Sequence, residues 1–357
     1  MRVGTLRVTA AEARRQLDLL PETPPPALPV LDERTRGTRF VRLTVRSVLN
    51  SPASTGMGFW SVNPYVGCEF GCTYCYARDT HRFVLERLGA VEDTPAWLDF
   101  ERRILVKTEA ADVLARTLDP SRIGGDTIVI GTATDPYQPA ERRFRLTRAL
   151  LERLMGYRGL SIGLITKSPL VTRDLALLRS LSERHEVSVN ISVASLDRRL
   201  IRRLELRSPV PEARIRALGR LAAAGVHTGV LIAPIVPGIT DDREGLSRLM
   251  KAAKEAGASY VVGSALRLGP AARRRFLPVL RREFPELSRR YERHYAGSEG
   301  ASPAYQAALK RRLLQLQDEH GFSVSEGRRR TRQLEESGKP VIAEKSEQPL
   351  LPLSGGR

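Results

Sequence analysis

Five short apolar runs separated by helical patterns do most to limit how this chain folds. They are TIVIG (127–131), LSIGLIT (160–166), VSVNISV (187–193), TGVLIAPIV (228–236) and YVVGSAL (260–266). Each is rich in β-branched residues and short, which marks a buried strand. Helical periodicity fills the gaps over 140–155, 172–184, 211–224 and 241–256. Gly225 and Gly257 stand where C-terminal caps belong, and Pro211 stands in a first turn. Alternating βα units predict an α/β fold with a parallel sheet, and right-handed crossovers curl such a sheet into an open or closed barrel. Chemistry in these barrels collects at the C-terminal ends of the strands. Polar residues gather there: Thr132, Thr134 and Asp135 after the first run, Thr166 and Lys167 ending the second. Asn190 and Ser192 lie in the third, and a Pro237–Gly238 turn follows the fourth.

The two ends read differently. Residues 1–57 read as irregular, with Pro24 to Pro26 and Pro29 forming a stiff extended segment. Residues 337–357 read as a disordered tail. No run of 18 apolar residues predicts a membrane span, and the N-terminus shows no secretory h-region. The expectation is a cytoplasmic protein with no membrane partner.

All three cysteines of the chain, Cys68, Cys72 and Cys75, fall in GCEFGCTYC (67–75). Three thiols in one loop cannot form a disulfide framework and point to metal binding. Zinc is one occupant: His81 completes a Cys3His set at C-x3-C-x2-C-x5-H spacing. An iron–sulfur cluster with three protein ligands and one open iron is the other. The loop precedes a series of βα units and has no second zinc half-site. An open coordination position at a barrel mouth suits catalysis better than a structural staple.

The C-x3-C-x2-C spacing with Tyr74 before the last cysteine resembles the radical S-adenosylmethionine (SAM) superfamily. NPYVGCEFGCTYCYARDTHRF (63–83), DFERRILVK (99–107), GTATDPYQPAE (131–141), LITKSPLVTRD (164–174) and LIAPIVPGITDD (231–242) are similar to uncharacterised members related to spore photoproduct lyase. The resemblance covers roughly residues 58–320. It implies a partial (β/α)6 TIM-like barrel with N- and C-terminal extensions. The division expected is an extension (1–57), a radical SAM core (58–295), a basic helical segment (296–332) and a disordered tail (333–357).

The resemblance also implies cofactors: a [4Fe-4S] cluster on Cys68, Cys72 and Cys75, with SAM on the open iron. One electron then cleaves SAM to a 5′-deoxyadenosyl radical that removes hydrogen from a substrate. Residue by residue, Tyr74 matches the aromatic near the adenine and Thr134 a serine near the methionine moiety. Lys167 matches a lysine suited to the SAM carboxylate. Asn190 aligns with a serine that hydrogen-bonds the cofactor, and Ala233 with a backbone contact to adenine. Arg207, in ELRSP, falls near a carboxylate of SAM or substrate. Asp135, Tyr137, Gln138 and Glu141 either face cofactor and substrate or shape a tight loop. The superfamily's usual partner is a one-electron donor such as a ferredoxin or flavodoxin. One departure stands out. The lyase uses a further cysteine near the position of Thr132 as hydrogen donor, and this chain has no fourth cysteine. Dimer reversal by that route is not expected.

Charge bears on the substrate. The net charge is +18, and residues 267–332 hold 16 Lys and Arg against 7 Asp and Glu. Such a surplus suits an anionic partner, DNA or RNA. Only 7 of the 58 basic residues are lysine, so base composition accounts for arginine over lysine but not for the shortage of acids. The alternatives are radical chemistry on a peptide or small metabolite, or a non-catalytic zinc-bound nucleic-acid module.

Overall fold

The structure, a computed structural model, describes residues 30–34, 37–89, 96–322 and 344–345. Six strands form one parallel ladder: β1 (Trp60–Val62), β2 (Thr127–Ile130), β3 (Ser161–Thr166), β4 (Glu186–Ser192), β5 (His227–Ile235) and β6 (Tyr260–Ala265). They lie in sequential order, and antiparallel Leu49–Asn50 is added beside β1. β1 and β6 do not pair, so the ladder is a partial barrel with an open seam. Five of these strands match the sequence runs to within a residue. β1 went unread because three residues, one of them Trp, carry no periodicity.

The ladder buries alternate residues outward. Ile128, Ile130, Ile162, Leu164, Val189, Ile191, Val230 and Ile232 are sealed in one apolar core with side chains from several helices, four of which cover the strands directly in sequence. These are α4 (Leu146–Leu154), α5 (Leu175–Ser182), α7 (Pro211–Ala223) and α8 (Arg243–Glu255). Each such burial contributes about 1.5–3 kcal/mol. The opposite face carries Thr127, Ser161, Gly163 and Ser188. A Cβ on Gly163 would meet Val129, Ser188 and Thr127 side chains at 3.5–3.7 Å, so these residues share the lumen.

Three readings are corrected. Residues 38–42 are not irregular: Thr38–Arg42 pairs antiparallel with Val30–Arg34 and parallel with Arg103–Val106, burying Phe40 and Val41. The helix read over 140–155 breaks at Arg145, which has φ 51°. The break lets the Glu141 carboxylate turn back and accept the Thr147 amide at 3.1 Å and the Arg148 amide at 3.2 Å, capping α4. Likewise, 172–184 opens as a 3-10 turn, Pro169–Asp174, before α5. In the stretch read as tail, Glu344–Lys345 pairs antiparallel with Tyr157–Arg158, and the rest lies outside the described residues. So do Pro24 to Pro26 and Pro29.

The remaining helices flank the cysteine loop and the seam: α1 (Ala77–Arg87), α2 (Ala96–Arg102), α6 (Arg198–Leu204), α9 (Pro270–Glu283), α10 (Pro285–Ala296) and α11 (Pro303–Glu319). Helix α3 (Ala110–Thr117) lies against α4. Leu309, Leu313 and Leu316 form the buried stripe by which α11 covers β6. No helix among the described residues is long and apolar enough to cross a membrane.

Candidate functional site

The cysteine loop leaves the barrel rim after Tyr65–Val66 and ends at α1. Gly67 and Gly71 have φ of 95° and 64°. A Cβ on Gly71 would stand 2.8 Å from a Glu101 carboxylate oxygen, so both conformation and space demand glycine. The Cys68 amide donates to the Phe100 carbonyl at 2.9 Å, and the Thr73 amide and hydroxyl both donate to the Leu204 carbonyl at 2.9 Å. Arg78, fully buried, donates to the Cys72 carbonyl at 2.7 Å. These bonds tie the loop to α2 and α6. All three thiols are free; Cys68 and Cys72 are buried and Cys75 is half-buried. Burial pushes all three thiols up, helped at Cys68 by Asp135 and at Cys72 by Glu205, and opposed at Cys75 by Arg78. Such thiols are protonated at neutral pH, so metal loading must expel protons.

Thr134 sits beneath this loop. Its hydroxyl donates to the Gly67 carbonyl at 2.6 Å and accepts from Gln138 at 2.9 Å, while Gln138 accepts the Glu69 amide at 2.9 Å. Thr134 and Gln138 therefore hold the loop. Asp135 accepts the Thr166 hydroxyl at 2.6 Å and the Lys167 amide at 2.7 Å, locking the ends of β2 and β3 together. Tyr137 donates to Asp174 at 3.0 Å, and Tyr65 donates to Glu141 at 2.5 Å. The polar set 135–141 thus shapes its loop instead of facing an open site. At Thr132, the hydroxyl accepts from Asn63 at 3.0 Å and the carbonyl holds the Tyr76 hydroxyl.

Lys167 and Tyr74 do come together, through a residue the sequence reading missed. Glu205 is fully buried and accepts hydrogen bonds from the Tyr74 hydroxyl and from Arg214. It also accepts from Ser208 at 2.7 Å, and the Lys167 ammonium lies 3.3 Å away. Burial works to raise the Glu205 carboxyl, but Arg214 and Lys167 outweigh it and hold it well below the usual range. The Lys167 ammonium stands 5.8 Å over the Tyr74 ring. Glu205 also forms a backbone bridge with Cys72. The Glu205 carboxylate therefore orients Tyr74 and the lysine at the end of β3, while its backbone is bridged to the cysteine loop.

Asn190 lies deeper in the lumen. Its Oδ1 accepts the Tyr260 hydroxyl at 2.7 Å and its Nδ2 lies 3.4 Å from the Leu164 carbonyl. The Tyr260 ring crosses Gly229, where a Cβ would stand 2.2 Å from it. Ala233 is half-buried on β5, where the register with β6 shifts between Ile232 and Ile235. Arg207 lies beside the cysteine loop near Gly71, and its guanidinium pairs with Glu101 at 3.1 Å.

His81 is fully buried and has one ring nitrogen engaged by the backbone. Its Nε2 is bonded to the Arg103 carbonyl at 3.0 Å, and its ring packs edge-on to Phe100 at 5.7 Å. Among the described residues no three Cys, His, Asp or Glu side chains converge on a point as ligands of one ion do. The other ring nitrogen, Nδ1, is buried and has no hydrogen-bond partner. Burial lowers the imidazole from its ordinary 6.5 to about 4. Between those values the unfolded state binds more protons, so stability falls as pH drops through the window. His81→Phe is expected to remove a slope of about 1.4 kcal/mol per pH unit from urea unfolding between pH 6.5 and 4. An unchanged slope would assign the sensitivity to another group.

With this geometry in place, comparison with known proteins is direct. The sequence profile of the radical SAM superfamily matches residues 62–250. An uncharacterised protein of Mycobacterium tuberculosis is 34% identical over 282 residues, covering 78% of this chain and 80% of that one. An uncharacterised protein of Methanocaldococcus jannaschii is 31% identical over 205 residues, covering 57% and 70%. The chain belongs to the radical SAM superfamily. A spore photoproduct lyase complexed with dinucleoside spore photoproduct superposes with a TM-score of 0.51 at 17% identity, covering 73% of this chain and 74% of that one. That likeness is one of fold.

Proposed function

We propose that residues 58–295 form a radical SAM catalytic unit in which Cys68, Cys72 and Cys75 hold a [4Fe-4S] cluster and SAM binds beside Lys167. The observation that carries this reading is the meeting of Cys72, Tyr74 and Lys167 on Glu205 at the barrel rim. The donor set fits the group: three free thiols in a loop fixed at both glycines. When bound, these cofactors supply one electron to the sulfonium of SAM and yield a 5′-deoxyadenosyl radical that removes hydrogen from substrate.

The chain's own residues bind and orient. Lys167 is anchored by Glu205 on one side and keeps N–H groups for a SAM carboxylate. Tyr74, its hydroxyl fixed by Glu205, presents a rigid ring for adenine. Asn190 offers an amide N–H toward the ribose or base, and the register shift at Ala233 frees backbone groups of β5 for adenine. Thr134 serves SAM indirectly, by holding the loop. The net charge of +18 supports an anionic substrate, DNA or RNA, over a peptide or small metabolite. Retention on either nucleic acid that ignores salt would count against that class.

Anaerobic reconstitution is expected to load about four irons and four sulfides per chain, and reduction with SAM to release 5′-deoxyadenosine. Lys167→Ala should weaken SAM binding at least tenfold and keep its iron. A Lys167→Ala protein that loses iron, or a wild-type protein that loads one zinc without sulfide, would overturn the assignment.

A further inference from the structure

The charges packed against the cysteine loop are unequal in number. Arg78 stands three positions after Cys75, in the first turn of α1, and is fully buried. Its guanidinium donates to the Cys72 carbonyl at 2.7 Å, pairs with Glu101 at 2.6 Å and lies 4.8 Å from the centre of the Phe100 ring. Glu101, on α2, is buried too, and two more guanidiniums reach it: Arg275 of α9 at 3.0 Å and Arg207 at 3.1 Å. The Arg207 amide donates to the Phe70 carbonyl at 3.1 Å. Gly71 lies between these contacts, and a Cβ there would stand 2.8 Å from a Glu101 oxygen and 3.1 Å from an Arg207 nitrogen. Three guanidiniums thus share one carboxylate that abuts the loop.

One guanidinium is enough to neutralise a buried carboxylate with paired hydrogen bonds. Three on one carboxylate leave positive charge in excess at this spot. Side-chain exposure falls from 35% at Arg207 to 15% at Arg275 and none at Arg78. Residues 67–74 of the loop are buried as well. Water and salt therefore screen the excess little. Packing alone is better served by apolar side chains, since buried charge is costly to desolvate. The excess points instead to negative charge that gathers at the loop. Asp135, the carboxylate acting at Cys68, opposes it from the other side.

We propose that Arg78, Arg207 and Arg275, set against Glu101, tune the cluster held by the cysteine loop and raise its reduction potential. This rests on the cluster assignment above. One electron from an external one-electron donor enters, no bond forms or breaks, and the centre gains one negative charge. Fixed positive charge in a poorly screened place favours that reduced form. The four residues contact the loop and one another, so they are positioning residues and not catalytic ones. Their signs give the idea its edge. Neutralising an arginine must lower the potential, and neutralising Glu101 must raise it. A brace that only holds the loop in shape has no reason to split the two variants in opposite directions.

The test is a dye-mediated redox titration of the anaerobically reconstituted protein without SAM, read by the electron paramagnetic resonance signal of its reduced form. Arg207→Gln is expected to lower the ratio of reduced to oxidised protein at a given potential about threefold, which is about 28 mV for a one-electron couple. Glu101→Gln should raise that ratio about tenfold, or about 59 mV. The double variant should fall between the two. Arg207 is 35% exposed, so its loss should spare the fold, and both single variants should load as much iron as wild type. The shifts should persist in about 0.5 M potassium chloride, because buried charges are screened little. Potentials equal to wild type in both variants, or shifts of the same sign, overturn the proposal. So does an Arg207→Gln protein that loses its iron, which would make this arginine a brace of the loop. A wild type that loads no four-iron cluster ends the cluster reading and this inference with it. One that loads the cluster and shows unmoved potentials in the variants ends this inference alone.

Discussion

Arg214→Met is expected to destabilise the protein by about 3–5 kcal/mol at pH 7, because it leaves the Glu205 carboxylate buried without its guanidinium. Both side chains are fully buried, and Arg214 also donates to the Ser192 carbonyl at 3.0 Å and the Pro209 carbonyl at 2.8 Å. Lys167 remains near Glu205, but one ammonium at 3.3 Å does not replace a guanidinium in direct contact. Adding Glu205→Gln should recover part of the loss, since a neutral amide needs no counter-charge. Urea unfolding of the single and double variants measures both effects. If Arg214→Met shifts the midpoint no more than a surface substitution, about 0.5 kcal/mol, then the pair is not the brace described here. The variant that folds should also show weaker SAM binding, because Tyr74 and Lys167 share that carboxylate.

The second large effect concerns the cysteines. Cys72→Ala should strip iron from the reconstituted protein and lower 5′-deoxyadenosine formation at least a thousandfold, an order of magnitude set by loss of the chemistry itself. The loop's hold on the fold lies elsewhere, in the Thr73 bonds to Leu204 and the Thr134 bond to Gly67. Far-UV circular dichroism should therefore be unchanged. Retained iron together with retained product would remove Cys72 from the ligand set.

How much of this was legible depends on sequence distance. The strands could be read because each is a compact β-branched run, and the cysteine loop because its spacing is local. The end of β3 could be read too, since Lys167 directly follows an apolar run. Glu205 could not. It meets Tyr74 across 131 positions, and its only local mark is a glutamate within an arginine-rich helix end. Thr134 was placed correctly at the rim, but its hydroxyl is consumed by a carbonyl 67 positions earlier. His81 had the right spacing for a ligand, yet its ring turns toward the Arg103 carbonyl, an orientation that spacing does not encode. The Arg145 break was hidden because an unbroken helical pattern says nothing of a carboxylate folding back to cap the next turn.

The Tyr260 ring lying across Gly229 has a consequence for selectivity. It acts as a floor, fixing how deep a guest can descend, and it occupies the Asn190 carbonyl oxygen so that this amide greets a guest only as a donor. A molecule bound at that depth would meet this amide with an acceptor. A single added methyl at position 229 would tilt the floor and change which guests fit, with every rim residue untouched.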